Sequence, residues 1–138
     1  MREAKGEGGT GMKKVIHTEK APKAVGPYSQ AIQAGNFVFT AGQIGLDPTT
    51  GKLVKGGVKE QARQVMENLK AVLEAADTDF SRVVKTTVFL KEMNDFMHFN
   101  EVYGEYFPSE QPARSTFQVA ALPLGAIIEI EMVALAGD

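Results

Sequence analysis

The sequence contains no cysteine and no tryptophan among its 138 residues. Without cysteine the chain forms no disulfide bond and offers no thiolate as a nucleophile or a metal ligand. Its two histidines, His17 and His98, lie far apart and belong to no ligand-spaced cluster, which gives a zinc site little support. No serine sits in a nucleophile-elbow motif. We therefore expect neither a metal centre nor covalent nucleophilic catalysis.

An excess of positive charge is also lacking, because 15 lysines and arginines are opposed by 17 aspartates and glutamates, for a formal net charge of -2. Such a chain has no overall attraction to nucleic-acid phosphates or to anionic membranes. No segment has the apolar length of a membrane span, and no signal-peptide pattern opens the chain. We expect a soluble cytoplasmic protein whose partner is neither a nucleic acid nor a membrane.

Length and composition predict a single globular domain. Hydrophobic residues make up 43% of the chain and charged residues 23%, which is typical of a folded protein. Residues 1–11, MREAKGEGGTG, are charged, rich in glycine and without periodicity, so we interpret them as a tag or a flexible tail. The domain is expected to span residues 12–138.

Two stretches have the periodicity of an amphipathic helix. The apolar stripe of the first consists of Val58, Ala62, Val65, Leu69, Val72 and Ala76. The second helix begins near Asn94 or Asp95, either of which suits an N-cap. Its stripe is aromatic and consists of Phe96, Phe99, Tyr103 and Phe107. Each helix therefore has one face to bury.

The remaining segments have the character of strands. Residues 13–54 predict two or three short strands, with GLDPTTGKL at residues 45–53 interpreted as a turn between strands rather than as a phosphate-binding loop. An internal strand lies between the helices, and one of its faces consists of Val84, Thr86, Val88 and Leu90. The last two strands, RSTFQVAAL and AIIEIEMVALA, are joined by Pro-Leu-Gly, which favours an antiparallel hairpin.

This order of elements predicts an α+β fold with a single sheet and both helices packed on one face. Two helices with one apolar stripe each need a common surface to cover. The opposite face of the sheet would then expose valine, threonine, phenylalanine and isoleucine side chains to water. We expect other copies of the chain to bury that face, with a site where the copies meet.

Polar residues within apolar segments are the candidate catalytic and ligand-binding residues. Glu129 and Glu131 lie two residues apart in the last strand, so both side chains point to one face. Arg114 follows Pro-Ala, and its planar guanidinium can bind a carboxylate through two hydrogen bonds. An ion pair of Arg114 with Glu129 or Glu131 explains these residues equally well. Tyr28 and Asn100 are further candidates, although an interface aromatic and a backbone-bonding amide explain them too.

Several segments resemble the RidA family, also called YjgF or reactive intermediate deaminase A. PARSTFQVAALPLGAIIEIEM is similar to the family signature, in which Pro-Ala-Arg-Ser is followed at restricted spacing by Ile-Glu-Ile. APKAVGPYSQA, FTAGQIGLDPTTG, VKTTVFLKEMNDF and FNEVYGEYF also resemble the family in order and spacing. The resemblance therefore covers the chain from Met12 to its end.

The resemblance implies a chorismate-mutase-like fold that assembles as a homotrimer, with three active sites in clefts between subunits. It also implies metabolite damage control: hydrolysis of enamines and imines released by pyridoxal-phosphate enzymes, chiefly 2-iminobutanoate and 2-iminopropanoate, to 2-oxo acids and ammonia without a cofactor. Two alternatives stay open. Relatives have been described as endoribonucleases or translation inhibitors, and a non-catalytic trimer could bind 2-oxo acids or act as a chaperone.

The resemblance also implies roles for individual residues. Arg114 matches the arginine that clamps the substrate carboxylate, and Glu129 matches the glutamate that positions the attacking water. The other residues implied to bind substrate are Tyr28, Ala41, Gly42, Asn100 and Thr116. Ala41 replaces a frequent serine and Thr116 an occasional cysteine, and both changes bear on substrate preference. Glu131 has no match, so we expect a basic partner or solvent to satisfy it.

Overall fold

The structure is a computed structural model that describes residues 12–137. The tail predicted at residues 1–11 lies outside the described residues. The strands are Lys13–Ile16 (β1), Ala31–Ala34 (β2), Phe37–Thr40 (β3), Leu46–Asp47 (β4), Lys52–Leu53 (β5), Val83–Leu90 (β6), Ala113–Gln118 (β7) and Ile128–Leu135 (β8). The α-helices are Val58–Ala75 (α1) and Phe96–Tyr106 (α2). This is the predicted order of strands, helix, strand, helix and two strands.

Six strands form one mixed sheet in the order β1-β2-β3-β8-β6-β7, and β4 pairs separately with β5. All neighbours in the sheet are antiparallel except β6 and β7, which are parallel. The β4–β5 pair confirms the turn predicted in GLDPTTGKL. At this turn the amide of Gly51 donates to the carbonyl of Asp47 at 2.8 Å, and Gly51 has a φ of 74°, which glycine adopts without strain.

The hairpin predicted for the last two strands is wrong. β6 lies between β7 and β8 and hydrogen-bonds to both, so the final two strands do not pair with each other. Pro-Leu-Gly forms one turn of 3₁₀ helix, Pro123–Gly125, within the segment that carries the chain past β6. Strand order depends on contacts between distant segments, and a local turn signal does not encode it.

Both predicted apolar stripes are buried. All six stripe residues of α1 are at most 7% exposed, and three of the four on the second stripe are buried: Phe99, Tyr103 and Phe107. The main core cluster joins most of them to inward side chains of β6 and β8, which confirms that both helices pack on one face of the sheet, and Val72 and Ala76 belong to a second cluster. α1 begins after Gly57, whose amide donates to the Glu60 carboxylate at 2.8 Å and so gains a partner at the helix end.

β6 differs from the prediction at its start. Val84 is 39% exposed, whereas Val83 is buried. The register with β8 shifts between Val83 and Lys85, where a bulge interrupts the ladder. The prediction that Val84 shares a face with Thr86, Val88 and Leu90 is therefore wrong, because the bulge interrupts the alternation of side chains at this point. The later residues of the predicted face, Thr86, Val88 and Leu90, are fully buried as expected.

The other face of the sheet carries exposed aromatic side chains. Phe37, Phe39 and Phe117 are 42%, 45% and 52% exposed. Glu129 and Glu131 alternate with buried residues along β8, so both point to this same face, as predicted. An exposed apolar face with this composition is typical of an interaction surface. Within residues 12–137, no helix has the length and apolarity needed to cross a membrane.

Candidate active site

Glu129 lies on β8 with its carboxylate against the backbone of Gly42. A side chain at position 42 would place its Cβ 2.8 Å from the Glu129 Cδ, which is closer than van der Waals contact allows. The Gly42 segment is held in place by a bridge between Gln43 and Ile130, whose amide–carbonyl distances are 2.9 and 3.1 Å. Glycine is therefore the residue that lets the backbone pass beside the carboxylate.

The Glu129 carboxyl has a pKa raised above its ordinary value. The larger cause is partial burial, which removes water that stabilises the ion, and the second is the negative charge of Glu131 on the same face. No hydrogen bond from the described residues offsets these two effects. A carboxyl group with a raised pKa accepts and returns a proton more readily near neutral pH, as general acid–base catalysis requires.

Glu129 forms part of the wall of a cavity of about 490 Å³. Tyr28, Ala41 and Gly42 line the same cavity, so the structure brings together four of the residues predicted for the site. Most of the other lining residues are apolar, and they include Pro22, Val25, Ile44, Leu46, Pro123 and Leu124. A carboxylate in an apolar cavity of this size can act on a small ligand.

Gln30 also lines this cavity and was not predicted. It is 3% exposed, and its amide group is bonded to the backbone of the segment that leads to Tyr28. Its Nε2 donates to the carbonyls of Thr18 and Pro22 at 3.0 and 2.8 Å, and its Oε1 accepts from the Thr18 amide at 2.7 Å. Gln30 thus fixes the backbone segment that forms one wall of the cavity. No local pattern marks it, since a glutamine before a strand is usually exposed.

Arg114 and Asn100 lie in a different place, a cavity of about 400 Å³ that they share with Tyr103, Gln111 and Pro112. β7 presents Arg114 toward α2, and its guanidinium carbon lies 4.8 Å from the centroid of the Tyr103 ring. This second cavity is open and carries the positive charge of Arg114. It can therefore receive an anion.

Two of the predicted residues carry buried polar atoms without a partner among the described residues. These atoms are the Oδ1 of Asn100 and the Oγ1 of Thr116. A buried polar atom without a hydrogen bond is costly, so it marks a position where a ligand or another chain can supply one. Thr116 lies two residues after Arg114 on β7, and it lines neither of the two cavities.

Arg114 and Glu129 do not meet within one chain. Arg114 is in register with the fully buried Thr86, on the face that the helices cover, whereas Glu129 is in register with Phe89 on the uncovered face. The predicted site is therefore divided between opposite faces of the sheet. The alternative ion pair of Arg114 with Glu129 or Glu131 is not formed, since the ion pairs within residues 12–137 join other residues.

Comparisons with known proteins identify relatives over nearly the whole chain. Residues 18–136 match the family described as endoribonuclease L-PSP. A RutC family protein of Pyrococcus horikoshii is 59% identical over 123 residues, which cover 89% of this chain and 98% of that protein. A mouse protein named 2-iminobutanoate/2-iminopropanoate deaminase is 54% identical over 126 residues, which cover 91% of this chain and 93% of that protein.

The fold also matches solved structures. The crystal structure of E. coli TdcF with bound serine has a TM-score of 0.85 at 42% identity, and the match covers 90% of this chain and 99% of TdcF. The predicted resemblance to the reactive intermediate deaminases is confirmed by these matches. The chain belongs to the endoribonuclease L-PSP family.

Proposed function

We propose that this protein hydrolyses reactive 2-imino acids, of the size of 2-iminobutanoate and 2-iminopropanoate, to 2-oxo acids and ammonia. The observation that carries the proposal is the Glu129 carboxylate, held beside Gly42 in an apolar cavity with a raised pKa. A relative 54% identical over 91% of the chain bears the name of this activity. Metabolite damage control in the cytoplasm, without a cofactor, is part of the same proposal.

Glu129 supplies the proton transfers in the proposed reaction. Its carboxylate takes a proton from water while the water oxygen attacks the imine carbon, and the C=N electron pair moves to nitrogen, to which Glu129 then gives that proton. In the resulting carbinolamine, Glu129 takes the hydroxyl proton as the C=O bond forms and the C–N bond breaks, and it passes this proton to the departing nitrogen, which leaves as ammonia. An imine is already electrophilic, so a positioned base is sufficient catalysis, typically worth about 10²- to 10⁴-fold.

Arg114 binds the substrate carboxylate in this proposal and so orients the imine carbon toward the water at Glu129. Because the two groups lie on opposite faces of one sheet, a single chain does not complete the site. A second copy that presents its Arg114 to the cavity of the first would do so. The exposed aromatic face with Phe37, Phe39 and Phe117 supports contact between copies. We propose a homotrimer with one site at each of its interfaces.

The direct test of the activity generates 2-iminobutanoate in solution with a threonine dehydratase and follows its disappearance. We expect the wild-type protein to accelerate hydrolysis well above the rate in buffer, with no added metal or cofactor. A heat-denatured sample of the same preparation is the control. A rate equal to that of the control would contradict the proposed function.

The family description makes RNA cleavage the competing activity. The same preparations are therefore incubated with single-stranded RNA. RNA cleavage that persists through purification and is abolished by Glu129→Gln would favour that activity at this cavity. Intact RNA together with imine turnover supports deamination alone.

Mixing two inactive variants tests whether each site is built from two copies. Arg114→Ala chains keep Glu129, and Glu129→Gln chains keep Arg114, so an interface between one of each can carry an intact site. With random equimolar assembly into rings, about one quarter of the interfaces are intact. We expect co-refolded mixtures to recover about that fraction of wild-type activity, and light scattering to give a trimer. No recovery from mixed trimers would contradict a shared site.

A further inference from the structure

Arg114 packs against three aromatic rings and, among the described residues, forms no ion pair with a carboxylate. Its guanidinium carbon lies 5.3, 5.2 and 4.8 Å from the ring centroids of Phe96, Phe99 and Tyr103. All three distances are within the range of a cation–π interaction. The ion pairs within residues 12–137 do not include Arg114, so no carboxylate of these residues neutralises its charge.

Helix periodicity brings the three rings together. Positions 96, 99 and 103 are spaced by three and four residues, so they form one stripe of α2 that faces the strand carrying Arg114. Phe99 is fully buried and Tyr103 is 6% exposed. The Tyr103 hydroxyl is also bonded to the Oγ1 of Thr86, the residue in register with Arg114, at 2.7 Å. The rings are therefore rigid walls around the guanidinium.

This arrangement leaves the arginine free to bind an anion. Aromatic rings attract a cation through their faces, whereas a carboxylate partner would occupy the N–H donors at the edge of the guanidinium plane. Tyr103 also stays neutral, because burial raises the pKa of its hydroxyl despite the opposing effects of Thr86 and Arg114. The rings thus fix the orientation of Arg114 without cancelling its charge.

We propose that Phe96, Phe99 and Tyr103 form an aromatic cage that positions Arg114 as an anion receptor for the substrate carboxylate. The inference rests on the proposed function only in the identity of the anion. The cage residues act through Arg114 and touch no reacting atom, so they are positioning residues. They should govern substrate binding, measured by the Kd of 2-oxobutanoate and by KM, more than kcat.

Two variants of Tyr103 separate the ring from the hydroxyl. Tyr103→Phe keeps the ring and removes the bond to Thr86, whereas Tyr103→Leu removes the ring. Calorimetric titration with 2-oxobutanoate, the stable product of the proposed reaction, should show binding about 2- to 30-fold weaker for Tyr103→Leu and near wild type for Tyr103→Phe. Tyr106→Leu is the matched control, because Tyr106 lies on the same helix and its hydroxyl bonds to Glu67 at 2.8 Å. It should bind as wild type does.

An NMR measurement tests whether the aromatic rings surround Arg114, and it needs no ligand. Stacked rings shift the NMR signal of the Arg114 Nε–H upfield, and Arg114→Lys identifies that signal by its loss. The shift should shrink in Tyr103→Leu and persist in Tyr103→Phe and Tyr106→Leu. Should Tyr103→Leu fail to fold, Gln111→Glu gives the second test. Gln111 is an exposed residue of the Arg114 cavity, and a carboxylate there should pair with Arg114 and weaken 2-oxobutanoate binding.

The outcomes distinguish this inference from the proposed function. If the wild-type protein binds 2-oxobutanoate but does not raise imine hydrolysis above the rate in buffer, the proposed function is overturned. The aromatic cage is not contradicted by that result. A folded Tyr103→Leu that binds as tightly as wild type, with an unchanged Arg114 signal, overturns the cage. Unchanged binding by Gln111→Glu would overturn the role of Arg114 as the anion receptor that the cage positions. A loss of kcat with unchanged KM in Tyr103→Leu would also contradict a positioning role for the ring.

Discussion

Replacing Arg114 by alanine is expected to lower kcat/KM for 2-iminobutanoate by about 10²-fold or more. The variant loses two charge-assisted hydrogen bonds to the substrate carboxylate, each of which contributes about 1.5–3 kcal/mol. Arg114→Lys should recover part of this loss, because it restores the charge without the planar pair of donors. The measurement is the initial rate of imine disappearance below saturation, with each variant at equal concentration.

The matched control for this experiment is Arg63→Ala. Arg63 lies on α1 and forms an exposed ion pair with Glu105 at 2.9 Å, so its removal changes surface charge without touching either cavity. We expect its activity to equal that of wild type, since exposed ion pairs contribute little to stability. Wild-type activity in Arg114→Ala would refute the assignment of the carboxylate clamp.

Replacing Glu129 by glutamine is expected to reduce kcat by about 10²- to 10⁴-fold, the usual contribution of general acid–base catalysis. The amide has nearly the same shape but accepts no proton from water. Binding of 2-oxobutanoate should change much less than turnover, because Arg114 is intact. Single-turnover rates measured beside the binding titration separate these two effects. Unchanged single-turnover rates in Glu129→Gln would remove this residue from the mechanism.

The same substitution should not destabilise the protein at neutral pH. The folded-state pKa of Glu129 is raised, so the folded chain binds a proton more readily than the unfolded chain. The free energy of unfolding of the wild type therefore falls as pH rises from the unfolded-state pKa through the folded-state pKa, and the loss is complete above it. In Glu129→Gln the side chain does not ionise, so the free energy of unfolding does not fall for this reason. Urea unfolding should find the variant more stable than wild type at pH 7, and the difference should disappear in acid.

Glu131→Gln is the matched control for Glu129. The Glu131 side chain is exposed and lies on the same face as Glu129. The negative charge of Glu131 is the second cause of the raised Glu129 pKa. Turnover should stay near wild type. The acidic limb of the pH–rate profile should move to lower pH, because removing that charge makes Glu129 easier to ionise. A large loss of kcat in Glu131→Gln would mean that the two carboxylates act together.

The residues of the candidate site were predictable to different degrees. Arg114, Glu129, Tyr28 and Gly42 belong to segments that resemble a family, and the structure places them in two cavities. Gln30 was not predictable, because its role depends on backbone carbonyls that fold back onto it from residues 18–22. Hydrogen bonds from a side-chain amide to backbone carbonyls of another segment have no sequence signature.

Residues close together along the chain set the local features of this protein. Periodicity of 3.6 residues identifies the buried stripes of α1 and α2, and alternation places Glu129 and Glu131 on one face, because neighbours along the chain set these orientations. Long-range packing determines that β6 separates β7 from β8 and that a bulge turns Val84 outward. It also determines that Arg114 and Glu129 lie on opposite faces of the sheet. Strand pairing joins residues distant in sequence, and local patterns do not encode that choice.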